Sequence, residues 1–259
     1  MNRSLVIYIL SFVALFSILY FGFDTKPSKQ AKLEENRALS FESTDIRVIL
    51  SEAKDKLSKR DNSIIGLKEQ NLQRAQTDSA TFVNLENLAR EWYALGYPEI
   101  SAHYAEEIAK ERNDADSWSI AGTTFTICVT KQVEDKVRSY CNKHAKEAFE
   151  NAISIEPDNI DHRINLSVLY TEAPPKNNPM QGILMLREMN EANPEEIKVL
   201  NQLARLSIRT NQWDNALKRL SQVLTIKPDN QPAICMIAKV YQSLQDFSKA
   251  ADYQSRCIE

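Results

Sequence analysis

The sequence predicts an all-α fold: a solenoid of antiparallel helical hairpins, preceded by one N-terminal transmembrane helix. Three observations predict it. Glycine is scarce, with 5 in 259 residues, whereas the helix formers Ala, Leu, Glu, Lys and Gln are abundant. Tight β-hairpin turns need residues at positive φ, so this scarcity argues against a β-rich fold. Apolar, small and aromatic residues recur at a spacing of 34 in the C-terminal part. The chain also opens on twenty consecutive residues without a charge, Ser4 to Phe23.

Those twenty residues, SLVIYILSFVALFSILYFGF, would span about 30 Å as a helix, the thickness of a bilayer core. Residues 1–23 are therefore read as an uncleaved anchor. The alternative is a cleaved signal peptide. Its apolar run is normally shorter, and no small-x-small cleavage site comes after this one. Residues 24–44 are polar, lack a sustained apolar face and read as a linker. In 45–58, Ile46, Ile49, Leu50, Ala53 and Leu57 share one face at a period of 3.6. A weaker pattern comes next in Ile64, Ile65, Leu67 and Leu72. Residues 45–81 are thus expected to form a helical hairpin that caps the repeats behind it.

The clearest repeating units are 197–230 and 231–259. In a 34-residue register Leu200 matches Ile234, Leu203 matches Ile237, and Ala204 matches Ala238. Trp213 matches Phe247, and Ala216 matches Ala250. The small residues allow two antiparallel helices to approach closely. The aromatic residue at the turn is expected to plug each hairpin, and Pro228 cannot continue the second helix.

This pattern resembles the tetratricopeptide repeat family, whose unit is a 34-residue helix–turn–helix. Residues 115–159 resemble a further unit through Trp118, Ala121, Gly122, Phe125, Ala145, Phe149, Ala152 and Pro157, with eleven extra residues between its helices. Residues 160–196 carry Leu166, Tyr170, Gly182, Leu186 and Pro194 in register. Residues 82–114 form a looser first unit around Leu85, Leu88, Ala89, Trp92, Gly96 and Ala105. The extra residues of 115–159 are either a tolerated excursion or a partner-specific ridge. In the loop 172–182, Asn178 and Pro179 look like an N-cap followed by proline at the first helical position.

The resemblance implies a concave groove lined by exposed positions of each first helix. By register these are Asn201, Arg205 and Arg209, with Lys198 and Lys239 nearby and Arg90 and Tyr93 at comparable positions in the first unit. Such a basic groove would suit an acidic segment or a C-terminal carboxylate. A solvated charged face is the commoner use of such residues and is the favoured alternative. The Lys-and-Asn clamp of the chaperone-binding members is not found in this spacing.

Signals for catalysis, metals and cofactors are absent from the motifs. His103, His144 and His162 fall in different units without HxxxH or HExxH spacing, and no phosphate-cradling glycine loop occurs. The expectation is no enzyme, no metal and no cofactor. The net charge of −3 and the dispersed Lys and Arg residues give no nucleic-acid signal.

The four cysteines lack CxxC spacing. Cys235 and Cys257 lie equally far either side of Asp246, and Cys128 and Cys141 are symmetric about Glu134–Asp135. In an antiparallel hairpin, positions equidistant from the turn sit at the same height, so each pair is a candidate disulfide. The alternative is four buried free thiols serving as small hydrophobes. Disulfides would imply an oxidising compartment, the periplasm of a bacterium. The count of Lys26, Lys29, Lys32 and Arg37 against Arg3 points the other way, but long domains translocate largely regardless of charge. The resulting expectation is a single-pass protein of the bacterial inner membrane with periplasmic repeats. It would be an adaptor for a protein or peptide partner in envelope assembly or protein maturation. A self-associating structural component, a homo-oligomer, and an accessory to an enzyme system such as cytochrome maturation are the alternatives.

Overall fold

A computed structural model describes residues 45–131 and 133–258. The expected anchor and linker, residues 1–44, lie outside the described residues. Among the described residues no helix is long and apolar enough to cross a membrane.

Twelve α-helices, and no strand, occur among the described residues. They are α1 (Ile46–Lys56), α2 (Lys59–Gln73), α3 (Asp78–Ala94), α4 (Pro98–Arg112), α5 (Ala115–Thr130) and α6 (Asp135–Ile155). Then come α7 (Ile160–Glu172), α8 (Gln181–Ala192), α9 (Ile197–Arg209), α10 (Trp213–Ile226), α11 (Gln231–Ser243) and α12 (Phe247–Arg256). From α3 onward each helix packs on the next, giving five hairpins whose first members are α3, α5, α7, α9 and α11.

Helix starts follow the sequence closely. Every first helix carries a side-chain cap: Thr77 accepts from the Ala80 N–H, Asp114 from Ser117, Asn159 from Asp161, Glu196 from Lys198 and Asn230 from Ala233. These caps satisfy N–H groups that would otherwise be orphaned. Apart from α12, which Asp246 caps, the second helices of the stack start without one.

Close packing of the hairpins depends on small residues. A Cβ on Gly182 would lie 2.4 Å from the Ser167 carbonyl oxygen, so α8 can meet α7 only through glycine here. Gly122 plays the same part against the Phe149 ring. Ala204 and Ala216 are fully buried where α9 meets α10. Trp92, Phe125, Phe149, Leu88 and Leu169 are also fully buried. Each such side chain contributes about 1.5–3 kcal/mol of burial.

Several features depart from the sequence-based expectation. Helix α1 does not fold back along α2 as a simple capping hairpin. It touches α2 through the Lys54–Glu69 ion pair (2.7 Å) and packs against α4. Its Ile49 and Ala53 face Val133 and Val137 across a small cavity, and Glu52 pairs with Lys136 at 2.9 Å. Both Leu57 and Ser58, the whole link between the two helices, are extended, which turns the chain away from a tight reversal. The lengthened tip of the α5–α6 hairpin therefore has a partner within the chain, namely α1. Glu99, at the start of α4, lies under this arrangement with one carboxylate oxygen unpartnered. Burial pushes its pKa up, against its own backbone N–H and the charges of Lys131 and Lys56.

Helix α8 begins at Gln181, after Met180, rather than at Pro179. Two consecutive turns, Asn178 N–H to Pro175 carbonyl and Gln181 N–H to Asn178 carbonyl, hold the proline in the loop instead. The aromatic plug also fails in the last unit. Trp213 is half-buried, but Phe247 is 68% exposed, because no further helix lies over α12 among the described residues. No residue of α12 is buried.

Both cysteine pairs are joined. Cys128 and Cys141 link α5 to α6, with Cα atoms 6.2 Å apart and both side chains fully buried. Cys235 on α11 joins Cys257, just past α12, across 5.0 Å between Cα atoms.

Candidate functional site

The basic groove residues do not all meet. Arg205, Arg209 and Lys239 line one cavity of about 520 Å³ between α9 and α11. Its apolar lining comes from Ile208, Pro232 and Met236. Cys235 and Ile258 also border it, so the Cys235–Cys257 bridge holds the segment after α12 against the cavity. The Ile258 N–H donates to the Gln231 side-chain carbonyl at 2.9 Å, a second tie on the same segment. Arg205 and Lys239 are exposed and make no ion pair among the described residues.

Arg209 is held by Glu172 and donates to the Thr171 carbonyl at 3.2 Å. Lys198 reaches Asp161 at 2.6 Å. These two basic residues of α9 thus bind acidic residues of α7, one near each end of the helix.

Asn201 is not an exposed groove residue. It is buried, and its amide donates to the Asn230 side-chain oxygen at 3.3 Å. That oxygen also caps α11 by accepting from the Ala233 N–H at 3.0 Å. A polar side chain that position alone would send to solvent is captured by the cap of the next first helix. Arg90 and Tyr93 lie apart from the cavity, on α3. Arg90 pairs with Glu86 at 3.2 Å beside a separate, smaller cavity, and Tyr93 is half-exposed.

Sequence reasoning missed a polar chain in the middle of the stack. The Ser119 hydroxyl on α5 lies 2.6 Å from Nδ1 of the buried His162 on α7, and His162 Nε2 lies 3.3 Å from Glu156. Hydrogen bonds from Asn159 and His162 hold the Glu156 carboxyl below its usual range. The order Ser–His–Glu resembles that of an activated nucleophile. Ser119, however, sits mid-helix, where the neighbouring backbone N–H groups are committed to helical bonds and offer no oxyanion hole. The chain acts as a tie between repeat units. No sequence signal foretells it, since Ser119 and His162 are 43 residues apart.

Comparison with known proteins bears on the C-terminal hairpin. Residues 232–259 match the family model described as tetratricopeptide repeat. No curated protein matches. Among solved structures, TTC0263, a thermophilic TPR protein of Thermus thermophilus, is 18% identical with a TM-score of 0.47, covering 68% of this chain and 89% of that one. MamA (residues 41 to the end) from Desulfovibrio magneticus RS-1 is 14% identical with a TM-score of 0.41, covering 70% and 94%. YrrB, a TPR protein described as having an unusual peptide-binding site, is 16% identical with a TM-score of 0.37, covering 73% and 89%. At these scores the three structures carry no argument about the site. The weight rests on the family match, which coincides with α11 and α12: the C-terminal hairpin of this all-helical stack is a tetratricopeptide repeat.

Proposed function

We propose that the chain is a membrane-anchored adaptor that holds an acidic segment of a partner protein in the cleft between α9 and α11. The observation that carries this reading is the convergence of Arg205, Arg209 and Lys239 on one cavity with an apolar lining. Cations around an apolar floor suit a peptide that offers carboxylates and at least one apolar side chain. The twenty uncharged residues from Ser4 to Phe23 supply the tether. The two cystine bridges favour an oxidising compartment, hence repeats on the periplasmic side of a bacterial inner membrane. Envelope assembly or protein maturation is the setting in which such an adaptor would work.

Crosslinking in native membranes, followed by identification of the attached protein, tests the reading. The double variant Arg205→Glu/Lys239→Glu should abolish the crosslink. It leaves the Arg209–Glu172 pair untouched, so the stack itself stays intact. Undiminished capture by that variant would remove the cleft as the binding site. A second reading, self-association through α12, is favoured by the exposure of Phe247 and by the lack of any buried residue in that helix. It predicts a mass that rises with protein concentration and falls back in Phe247→Asp.

A further inference from the structure

We propose that His103, Glu106 and Glu107 of α4, with His144 of α6, form a binding site for a divalent transition metal of the zinc class that bridges the second helices of two neighbouring repeat units. On α4 the three residues occupy positions i, i+3 and i+4, one face of the helix. One donor atom from each lies within 4.8 Å of the others. His144 comes from a different helix, and its Nδ1 lies 2.9 Å from Glu106 Oε1. Three donors of α4 thus lie together, and His144 reaches one of them, Glu106, from a second helix.

The donor chemistry selects the ion. Two imidazole nitrogens and two carboxylates suit zinc, cobalt or nickel, whereas calcium and magnesium favour all-oxygen sets. In a tetrahedral zinc site, donors about 2.0–2.2 Å from the metal are roughly 3.3 Å from one another. The α4 donors, within 4.8 Å of one another, need only side-chain rotamer adjustment to reach that spacing, with the His144 ring turning toward the ion from its place beside Glu106.

A cation is already favoured at this spot. The Glu106 side chain is only 6% exposed, and a buried carboxylate is costly without a positive partner. Lys110 supplies one, its ammonium 3.4 Å from Glu106 and 2.9 Å from Glu107. Lys110 is half-exposed on a flexible stem, so a metal can take its place while the ammonium swings into solvent. Other soft ligands do not compete. All four cysteines are in disulfides, and His162 is engaged with Ser119 and Glu156.

The test uses the untagged full chain in detergent under non-reducing conditions, titrated with Zn²⁺ and with Co²⁺. The expected result is one equivalent bound, a visible absorption band from Co²⁺ in a low-symmetry site, and a raised melting temperature. His103→Ala and Glu107→Gln, both on the accessible side of the cluster, should each weaken binding by about 10- to 100-fold with unchanged far-UV circular dichroism. Lys110→Met should strengthen binding several-fold, because it removes the competing ammonium. A network of ion pairs alone predicts the reverse, a destabilised protein with no gain in metal affinity. Absence of stoichiometric binding, or binding indifferent to His103→Ala and Lys110→Met, would overturn the proposal.

Discussion

The two disulfides have the same chemistry and opposite surroundings. Cys128–Cys141 is fully buried near the tip of a lengthened hairpin, with α1 leaning on that tip. Cys235–Cys257 borders an open cleft in the last described unit, and no residue of α12, the helix before Cys257, is fully buried. A crosslink inside a packed region is coupled to the cooperative unfolding of its neighbours. A crosslink on a helix with no buried residue restrains mainly local opening. The contrast separates a bridge that holds the fold from one that shapes a surface.

Removing the buried bridge is the strongest way to break that contrast. Cys128→Ala/Cys141→Ala should lower the stability of the whole stack by about 3 kcal/mol, the loss expected for a loop of this size. Thermal melts of oxidised and variant protein measure it. The next effect has the opposite sign. Glu99 has a raised pKa in the folded state, so its penalty is absent below the unfolded carboxylate value and develops as pH rises through the folded value. Glu99→Gln should therefore stabilise the protein at pH 7 by about 1 kcal/mol, screening by Lys131, Lys56 and solvent included. Melts at pH 4 should show almost no gain.

Smaller changes sharpen the other side of the comparison. Cys235→Ser/Cys257→Ser should move the main melting transition by less than about 1 kcal/mol. It should, however, raise the hydrogen-exchange rates of α12 and of the Ile258 amide. Loss of the whole transition would mean that the last unit is part of the cooperative core. Least affected should be Phe247→Asp, within about 0.5 kcal/mol of the parent, because the ring is 68% exposed. A large loss there would show that α12 is covered.

Much of the stack was legible in the sequence because its signals are local. Ala204 with Ala216 and Gly122 with Phe149 mark helix pairs within one hairpin, where spacing along the chain translates directly into contact. The cysteine positions were readable for the same reason, since distance from a turn sets height on a hairpin. The features beyond reach depend on contacts between units. Nothing in 45–58 says that Glu52 will meet Lys136, far along the chain. Asn201 reads as a groove residue until Asn230 is placed beside it. His103 and His144 look unrelated until α4 and α6 are stacked.

The two ion pairs that join α9 to α7 have a mechanical consequence. Lys198 and Arg209 are eleven residues apart on α9, a lever arm of about 16 Å along its axis. Each exposed pair contributes little to folding free energy. Placed at opposite ends of one helix, however, they oppose rotation of one repeat against its neighbour far better than a single central pin would. Salt that screens the two pairs should therefore loosen the α7–α9 joint against rotation without melting the stack.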